Sequence, residues 1–199
     1  LPNYYHIVCQ KLEDGQAYIS SPTISKMLGI DDSQVRKDIA ATGYVGKPKV
    51  GFDLKELKAH LEAFLKFDQK REAFLIGAGN LGIALAKYEG FQKYGLNIVA
   101  LFDNDPHKVD ISFGTKNVLH ISKLPNLVAQ KNITMAILTV PPVNAQEMTD
   151  FLVSAGIKAI WNFAPVTLKV PEDVQIWNED LAASYITFSQ ILSGNKITL

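Results

Sequence analysis

The stretch that most restricts the fold runs from Glu72 to Gly82, Glu-Ala-Phe-Leu-Ile-Gly-Ala-Gly-Asn-Leu-Gly. A short apolar run, Ala73 to Ile76, breaks into Gly77, Ala78, Gly79, Asn80, Leu81 and Gly82, and a helical pattern through Ile83, Leu85 and Ala86 follows. Strand, glycine corner and helix in that order suit a dinucleotide pyrophosphate. Gly77 permits the tight turn, Gly79 lets the backbone approach the phosphates, and Gly82 lets helix and strand pack closely. The phosphates then lie at a helix N-terminus, where free N–H groups and the helix dipole favour negative charge. A second candidate strand, Asn97 to Phe102, ends in Asp103-Asn104-Asp105-Pro106. Asp103 falls about twenty residues beyond the glycines, the distance expected of a carboxylate that hydrogen-bonds the adenosine ribose. A carboxylate there repels a ribose 2′-phosphate, which favours NAD(H) over NADP(H). The plainer reading is a strand-to-helix turn capped by Asp103.

A chain of 199 residues forms one large domain or two small ones. Hydrophobic residues at 47% and charged residues at 20% are the balance of a globular protein with a real core. The formal net charge is zero, so affinity for nucleic acid must come from a local patch. Cys9 is the only cysteine, which excludes an internal disulfide and a cysteine-rich zinc site and fits a reducing, cytoplasmic location. His6, His60, His107 and His120 are scattered without metal-ligand spacing. No apolar run reaches the about eighteen residues of a membrane span. There is no signal-peptide pattern, and a chain opening on Leu1 rather than Met is expected to lack its first residues.

The N-terminal third reads as short helices. Residues 4–13 place Tyr5, Val8, Cys9 and Leu12 on one face, and Asp14-Gly15 ends that helix. Ser20 or Ser21 caps a second, with Pro22 in its first turn, Ile24, Met27 and Leu28 inward, and Gly29 closing it. A third starts after Asp31-Asp32-Ser33, burying Val35 and Ile39 and turning Gln34, Arg36 and Lys37 outward. Two short helices joined at Gly29 have the proportions of a helix-turn-helix, with Gln34, Arg36 and Lys37 reaching bases and phosphates in the major groove. Residues 43–52 then read as a β-ribbon wing around Lys47-Pro48-Lys49. From Gln34 to Phe52 the cations Arg36, Lys37, Lys47 and Lys49 face one acid, Asp38. A solvated basic face on a small helical domain is the plain alternative. Residues 54–65 form an amphipathic helix with Leu54, Leu57, Leu61, Phe64 and Leu65 inward, and Lys66 to Arg71 is the natural domain boundary.

After the first two strands, Asp103 to Thr115 is a polar loop, Val118 to His120 a short strand, and Ser122 to Gln130 a helix entered through Pro125. Ile133 to Val140 is a nearly continuous apolar run, the mark of a strand buried on both faces. Pro141-Pro142 stops it, Val143 to Ala155 is helical with Ala145, Met148, Phe151 and Leu152 inward, and Lys158 to Trp161 is the next strand. Strands alternating with helices imply a parallel sheet with helices on both faces. Ligands bind such sheets at the carboxyl ends of the strands. Thr139-Val140-Pro141 and Asn162-Phe163-Ala164-Pro165 should meet the glycine corner there, or else merely pack as loops. Glu179 to Leu192 is a helix with Leu181, Tyr185, Phe188, Ile191 and Leu192 in a broad apolar stripe. Such a stripe must dock, on its own sheet or on a second subunit.

The two halves together resemble Rex, the bacterial redox-sensing transcriptional repressors, over nearly the whole chain. The resemblance rests on Ser33-Gln34-Val35-Arg36-Lys37-Asp38, Gly51-Phe52, Gly77 to Gly82 and Phe102 to Pro106. It continues through Leu138 to Pro141, Gly156-Ile157-Lys158, Asn162 to Pro165 and Asn178 to Leu181. It implies an α/β chain with an N-terminal winged helix-turn-helix domain over 1–67, a Rossmann-type NAD(H)-binding domain over 68–178, and a swapped C-terminal dimerisation helix over 179–199. It further implies a homodimer that binds a palindromic operator and is released by NADH, so that it reads the NADH/NAD+ ratio without being an enzyme. Residue by residue, Ser33, Gln34, Arg36, Lys37, Lys47 and Lys49 serve DNA. The glycine corner, Asp103, Asn104, Thr139, Val140, Pro141, Asn162, Phe163 and Pro165 serve NADH/NAD+. Tyr88, Asp180 and Leu181 lie by the nicotinamide and the subunit interface, with Tyr185 and Phe188 on the swapped helix. The chain departs from the family at His6, where an arginine commonly pairs with the interface Asp and Tyr. It departs again at Ala40-Ala41-Thr42-Gly43, in place of Ser-Tyr-Phe-Gly, and at Lys47-Pro48-Lys49, in place of an arginine-bearing tip. Simple packing is the preferred reading of His6, with a pH-sensitive contact to Asp180 as the alternative.

Two other classes compete. One is an NAD-dependent dehydrogenase or a CoA-binding ligase subunit, although no His, Lys, Tyr or Cys in the strand-end loops suggests a proton relay. The other is a nucleotide-binding regulatory module whose N-terminal helices dock a partner protein.

Overall fold

Helix α1 (Pro2–Glu13) opens the chain and buries Tyr4, Tyr5, Ile7 and Val8, with Cys9 and Leu12 only half-buried. This computed structural model describes residues 1–67, 69–113 and 116–193, with the backbone alone at Leu181, Ser184 and Thr187. The chain forms two units, Leu1–Lys70 and Arg71–Leu199.

In the first unit, α1 is followed by β1 (Tyr18–Ile19), α2 (Ser21–Leu28), α3 (Asp32–Ala40), β2 (Phe52–Asp53) and α4 (Leu54–Leu65). Local chemistry sets the helix ends. The Ser20 hydroxyl accepts the Thr23 N–H at the start of α2, and Gly29, with φ +67°, closes it in the left-handed conformation that a side chain resists. Asp31 caps α3 by accepting the Ser33 N–H at 2.8 Å, and Asp53 caps α4 through Lys55 and Glu56. Ile24, Val35, Ile39, Leu54, Leu57 and Leu61 are fully buried, as their helical spacing requires. Met27 and Phe64, expected inward, are exposed. In helices of two to three turns the apolar stripe is wider than the face their neighbours cover.

The expected β-ribbon wing is reduced to a turn. Only Lys47 and Gly51 bridge, exchanging N–H to O contacts of 2.8 and 3.0 Å, and Lys49 at the tip has φ +63°. The strand that leaves it, β2, pairs antiparallel with β1, Ile19 opposite Phe52. A Cβ at Gly51 would stand 2.5 Å from the Ile19 carbonyl oxygen, so glycine is what lets the chain cross there.

The second unit is β3 (Arg71–Ile76), α5 (Asn80–Lys87), α6 (Gly90–Lys93), β4 (Leu96–Asp103), β5 (Ser112–Phe113), β6 (Lys116–His120), α7 (Leu124–Lys131), β7 (Met135–Leu138), α8 (Pro142–Ser154), β8 (Ala159–Asn162), β9 (Gln175–Asn178) and α9 (Leu181–Leu192). Among the described residues these strands make one sheet of order β5-β6-β4-β3-β7-β8-β9, parallel throughout except at β5–β6. The period-two alternation sends Phe74, Ile76, Phe102 and Leu138 to the face packed by Leu124, Val128, Ala145 and Leu152. Ala73, Leu75, Leu101 and Ile137 go to the other, against Leu85, Ala86 and Phe91. Strand β5 lies in the expected polar loop, and β7 is shorter than the apolar run that predicts it. Asp180 caps α9 by accepting the N–H groups of Ala182 and Ala183. Along α9, Tyr185, Ile186, Phe188, Ile191 and Leu192 are exposed, Tyr185 by 69%. No helix among the described residues is long and apolar enough to cross a membrane.

Candidate functional site

The reversal of strand order at β3, between β4 on one side and β7 on the other, opens a crevice at the strands' carboxyl ends. A cavity of about 510 Å³ lies there. Gly77 turns the chain with φ +98°, and a Cβ on it would meet the Thr139 carbonyl oxygen at 2.9 Å. Gly82 is wedged against the Gly77 carbonyl oxygen, the Thr139 hydroxyl and Leu75. Gly79 differs, because its backbone is extended and a Cβ there would meet nothing within 4 Å. No side chain caps α5, and its first residues Asn80 and Leu81 line the cavity, so the uncapped N–H groups of that turn are the donors an anion there would meet. A cradle open at Gly79 and filled with N–H donors fits a pyrophosphate.

The acid at the end of β4 joins the two strand ends. Asp103 accepts the Ala78 N–H at 2.8 Å on one oxygen and the Asp105 N–H at 2.9 Å on the other. The Lys108 ammonium stands 3.2 Å from the first oxygen and 4.0 Å from Asp105. Burial pushes the Asp103 carboxyl up, but the two N–H groups and Lys108 outweigh it and hold it below the ordinary carboxylate range. The side chain is thus ionised and acceptor-only, suited to ribose hydroxyls. It also caps its own turn, which is the plainer role weighed for it from sequence.

Of the residues expected at a cofactor, Gly77, Gly79, Asn80, Leu81, Asp103, Asn104, Thr139, Val140, Pro141 and Phe163 line this cavity. Ala78 and Gly82 are buried behind it. Asn162 is fully buried, and its amide bonds Ala164, Val166 and Asn178, so it holds the strand-end loop rather than facing the cavity. Pro165 is exposed and outside the lining. Sequence reasoning missed Lys108, Asn144 and Met148 in the lining. Lys108 carried a signal, a cation five residues beyond the acid, whereas Asn144 and Met148 read only as helix positions.

Tyr88 ends α5, is exposed, and meets Phe91 edge-on at 5.0 Å. His6 is exposed on α1, and Asp180 is exposed at the start of α9. Tyr185 and Phe188 are exposed on that helix, and the Leu181 side chain lies outside the described residues.

In the first unit, Ser33, Gln34, Arg36 and Lys37 are all exposed on α3. They are not idle. Gln34 donates to Asp38 at 2.6 Å, while Arg36 forks onto Asp32 at 2.7 Å and reaches Ser21 at 3.2 Å. The Asp32 pair lowers the free positive charge on the helix, and at this exposure it is worth about 0.3–0.5 kcal/mol, little enough for a phosphate to compete. A cavity of about 530 Å³ separates Arg36 from the turn carrying Lys47 and Lys49. Tyr44, itself buried, is among the residues lining it. Its hydroxyl donates to Glu56 at 2.9 Å, and burial followed by that carboxylate pushes it up to about 12. No group of three or more His, Cys, Asp or Glu among the described residues could hold a metal ion.

Residues 1–40 match the family described as "Putative DNA-binding protein N-terminus", and residues 68–166 the one described as "CoA binding domain". The redox-sensing transcriptional repressor Rex of Treponema denticola is 41% identical over 98% of this chain and 93% of its own length. That of Caldanaerobacter subterraneus subsp. tengcongensis is 38% identical over 99% of this chain and 88% of its own. Among solved structures, RSP in complex with beta-NAD+ and operator DNA superposes with a TM-score of 0.88 at 37% identity, covering 97% of this chain and 89% of RSP. RSP in complex with beta-NADH gives a TM-score of 0.87 at 36% identity, covering 97% and 90%.

Proposed function

The chain belongs to the Rex family of redox-sensing transcriptional repressors, and on that premise we propose that it binds a palindromic operator as a homodimer and lets go when NADH binds. One observation carries the reading. A single chain holds both an exposed helix bearing Gln34, Arg36 and Lys37 and a glycine-cornered cleft ending in an ionised Asp103. The curated relatives are repressors, which sets aside the dehydrogenase and docking-module alternatives. Residues 1–67 are the DNA-binding domain, 68–178 the cofactor domain and 179–199 the dimerisation segment, acting in the cytoplasm.

The cofactor's pyrophosphate lies against Gly79 and the start of α5, and its adenosine ribose on Asp103. Its nicotinamide faces Val140, Pro141 and Phe163. An apolar wall of that kind penalises desolvating the positive ring of NAD+ more than the neutral ring of NADH. A free carboxylate beside the ring reverses that preference, so Asp180 must be engaged. Two N–H groups of α9 already hold one of its oxygens, and Tyr88 supplies a further donor across the interface. The apolar stripe of α9 docks on the second copy, where the groove between Trp161 and Trp177 offers apolar surface.

In a two-fold dimer the recognition helices enter successive major grooves only when held about 34 Å apart. A ligand that favours another spacing lowers DNA affinity, because coupling is reciprocal. A nearly complete switch needs about 5.5 kcal/mol against ordinary couplings of about 1–3 kcal/mol, and two cofactors per dimer can supply it. Fluorescence titration of both cofactors, with anisotropy of a labelled operator, tests the scheme. NADH should bind more tightly than NAD+ and release the DNA. Equal cofactor affinities, or DNA retained at saturating NADH, would overturn it.

A further inference from the structure

Three side chains in the first unit form a chain of hydrogen bonds that ends on the base-reading surface. Tyr4 on α1 is buried, with 4% of its surface exposed, and its hydroxyl donates to one oxygen of Asp38 at 2.6 Å. The other oxygen of Asp38 accepts an N–H of the Gln34 amide at 2.6 Å. Both oxygens of a half-buried carboxylate are therefore committed, one to a fixed donor in the core and one to an exposed side chain four residues back on α3. The fork on Asp38 also dictates which way the amide faces. A carboxylate can only accept, so it takes the Nε2 end of Gln34 and leaves Oε1 and the second N–H for a ligand.

We propose that the Tyr4–Asp38 pair is the specificity-determining element behind Gln34, fixing its amide so that it presents one acceptor and one donor and reads adenine in each half-site. Adenine offers N7 as acceptor and N6–H as donor in the major groove, the complement of that pattern, whereas guanine offers two acceptors, N7 and O6. A freely rotating glutamine accommodates either base and loses side-chain entropy on binding. The anchored one is pre-organised for adenine. Tyr4 and Asp38 act through Gln34 and touch no base, which makes them positioning residues. The inference rests on the DNA-binding reading of α3.

The substitution D38N makes the logic sharp. The Tyr4 hydroxyl still needs an acceptor, so the introduced amide must turn its oxygen to Tyr4 and its NH2 to Gln34. Gln34 then has to offer Oε1 inward and both N–H groups outward, the pattern that suits guanine. In the double variant Y4F/D38N the hydroxyl that sets the orientation is gone, and neither base is favoured.

The experiment selects from palindromic duplexes with randomised half-sites, using the full-length dimer without NADH, and reads base preference position by position. The wild type should prefer adenine at one position per half-site by on the order of tenfold, and Q34A should lose that preference. Y4F leaves a carboxylate that still takes Nε2 but is no longer held from behind, so it should keep adenine with a weaker preference than the wild type, and D38N should move the preference to guanine at the same position. The dependence of affinity on salt should stay as in the wild type, because no phosphate contact changes. D38N retaining the adenine preference, Y4F showing it undiminished, or both variants weakening every sequence alike would overturn the proposal. Loss of folding in Y4F leaves D38N, whose acceptor for Tyr4 is preserved, as the deciding variant. A wild type that binds no duplex selectively would instead sink the DNA-binding reading itself.

Discussion

Two glycines separated by three positions should respond in opposite ways to a single methyl group. At Gly82 a Cβ would press on the Gly77 carbonyl oxygen and stand 2.8 Å from the Thr139 hydroxyl and 3.0 Å from Leu75. That hydroxyl donates to Gly77 at 2.8 Å and to Ile76 at 3.0 Å, tying the glycine corner to the end of β7. G82A therefore drives α5 off the sheet and costs about one hydrogen bond plus overpacking, together about 2–4 kcal/mol. For a chain of this size that lowers the Tm by roughly 5–15 °C. At Gly79 the backbone is extended, at φ −81° and ψ −175°, and a Cβ would meet nothing within 4 Å. G79A without cofactor should melt as the wild type does, or slightly higher, since alanine restricts the unfolded chain by about 0.4–1 kcal/mol. Yet on the proposed placement of the cofactor its methyl group stands where the pyrophosphate approaches the N–H groups of α5. Losing one charge-assisted hydrogen bond, worth about 1.5–3 kcal/mol, weakens NADH binding by roughly 10- to 150-fold. Differential scanning calorimetry without cofactor and NADH fluorescence titration measure the two effects separately. G79A with wild-type affinity would refute the placement of the phosphates, and G82A with a wild-type Tm would refute the packing argument.

Asp103 is held below its unfolded carboxyl value, so its contribution to stability is present above about pH 3.9 and fades as the pH falls through the folded value. The Tm difference between wild type and D103N should be largest near neutrality and shrink below about pH 4; a constant difference down to pH 3 would contradict this. Alanine at Arg36 and Lys37 should flatten the plot of log affinity against log salt by about 0.9 for each phosphate contact removed, and an unchanged slope would exclude both residues from the backbone. Aspartate at Tyr185 and Phe188 places charge on the exposed stripe of α9. Analytical ultracentrifugation should then show single subunits where the wild type sediments as a dimer, and a persistent dimer would move the interface elsewhere.

The glycine corner and the acid of the candidate cleft were legible because each is a local motif. Gly77 is recognisable as a glycine whose φ of +98° is the reason for its identity, and Asp103 ends the next strand at a distance set by α5, α6 and β4 itself. The wing was legible in part, because an antiparallel Lys47–Gly51 bridge brackets the expected tip while the strand that leaves it takes its partner from far off in the chain. Residues 43–52 resemble a hairpin by composition, but β2 pairs with β1, whose two residues carry almost no periodic signal. Strands β5 and β9 were missed for another reason, being short and edge-placed with exposed residues such as Trp177. Asn162 shows a different failure. Its position at a strand end suggested the cofactor, yet a fully buried amide must satisfy its own hydrogen bonds, and the nearest groups are the backbone of the loop and Asn178. Gln34 marks where reading the sequence stops. Helical phase puts its side chain outside, but which atom of the amide faces outward is decided by Asp38 and, behind it, by a tyrosine on another helix. Sequence periodicity assigns residues to faces, whereas recognition depends on the direction of individual lone pairs and N–H groups, and those are fixed by contacts between elements.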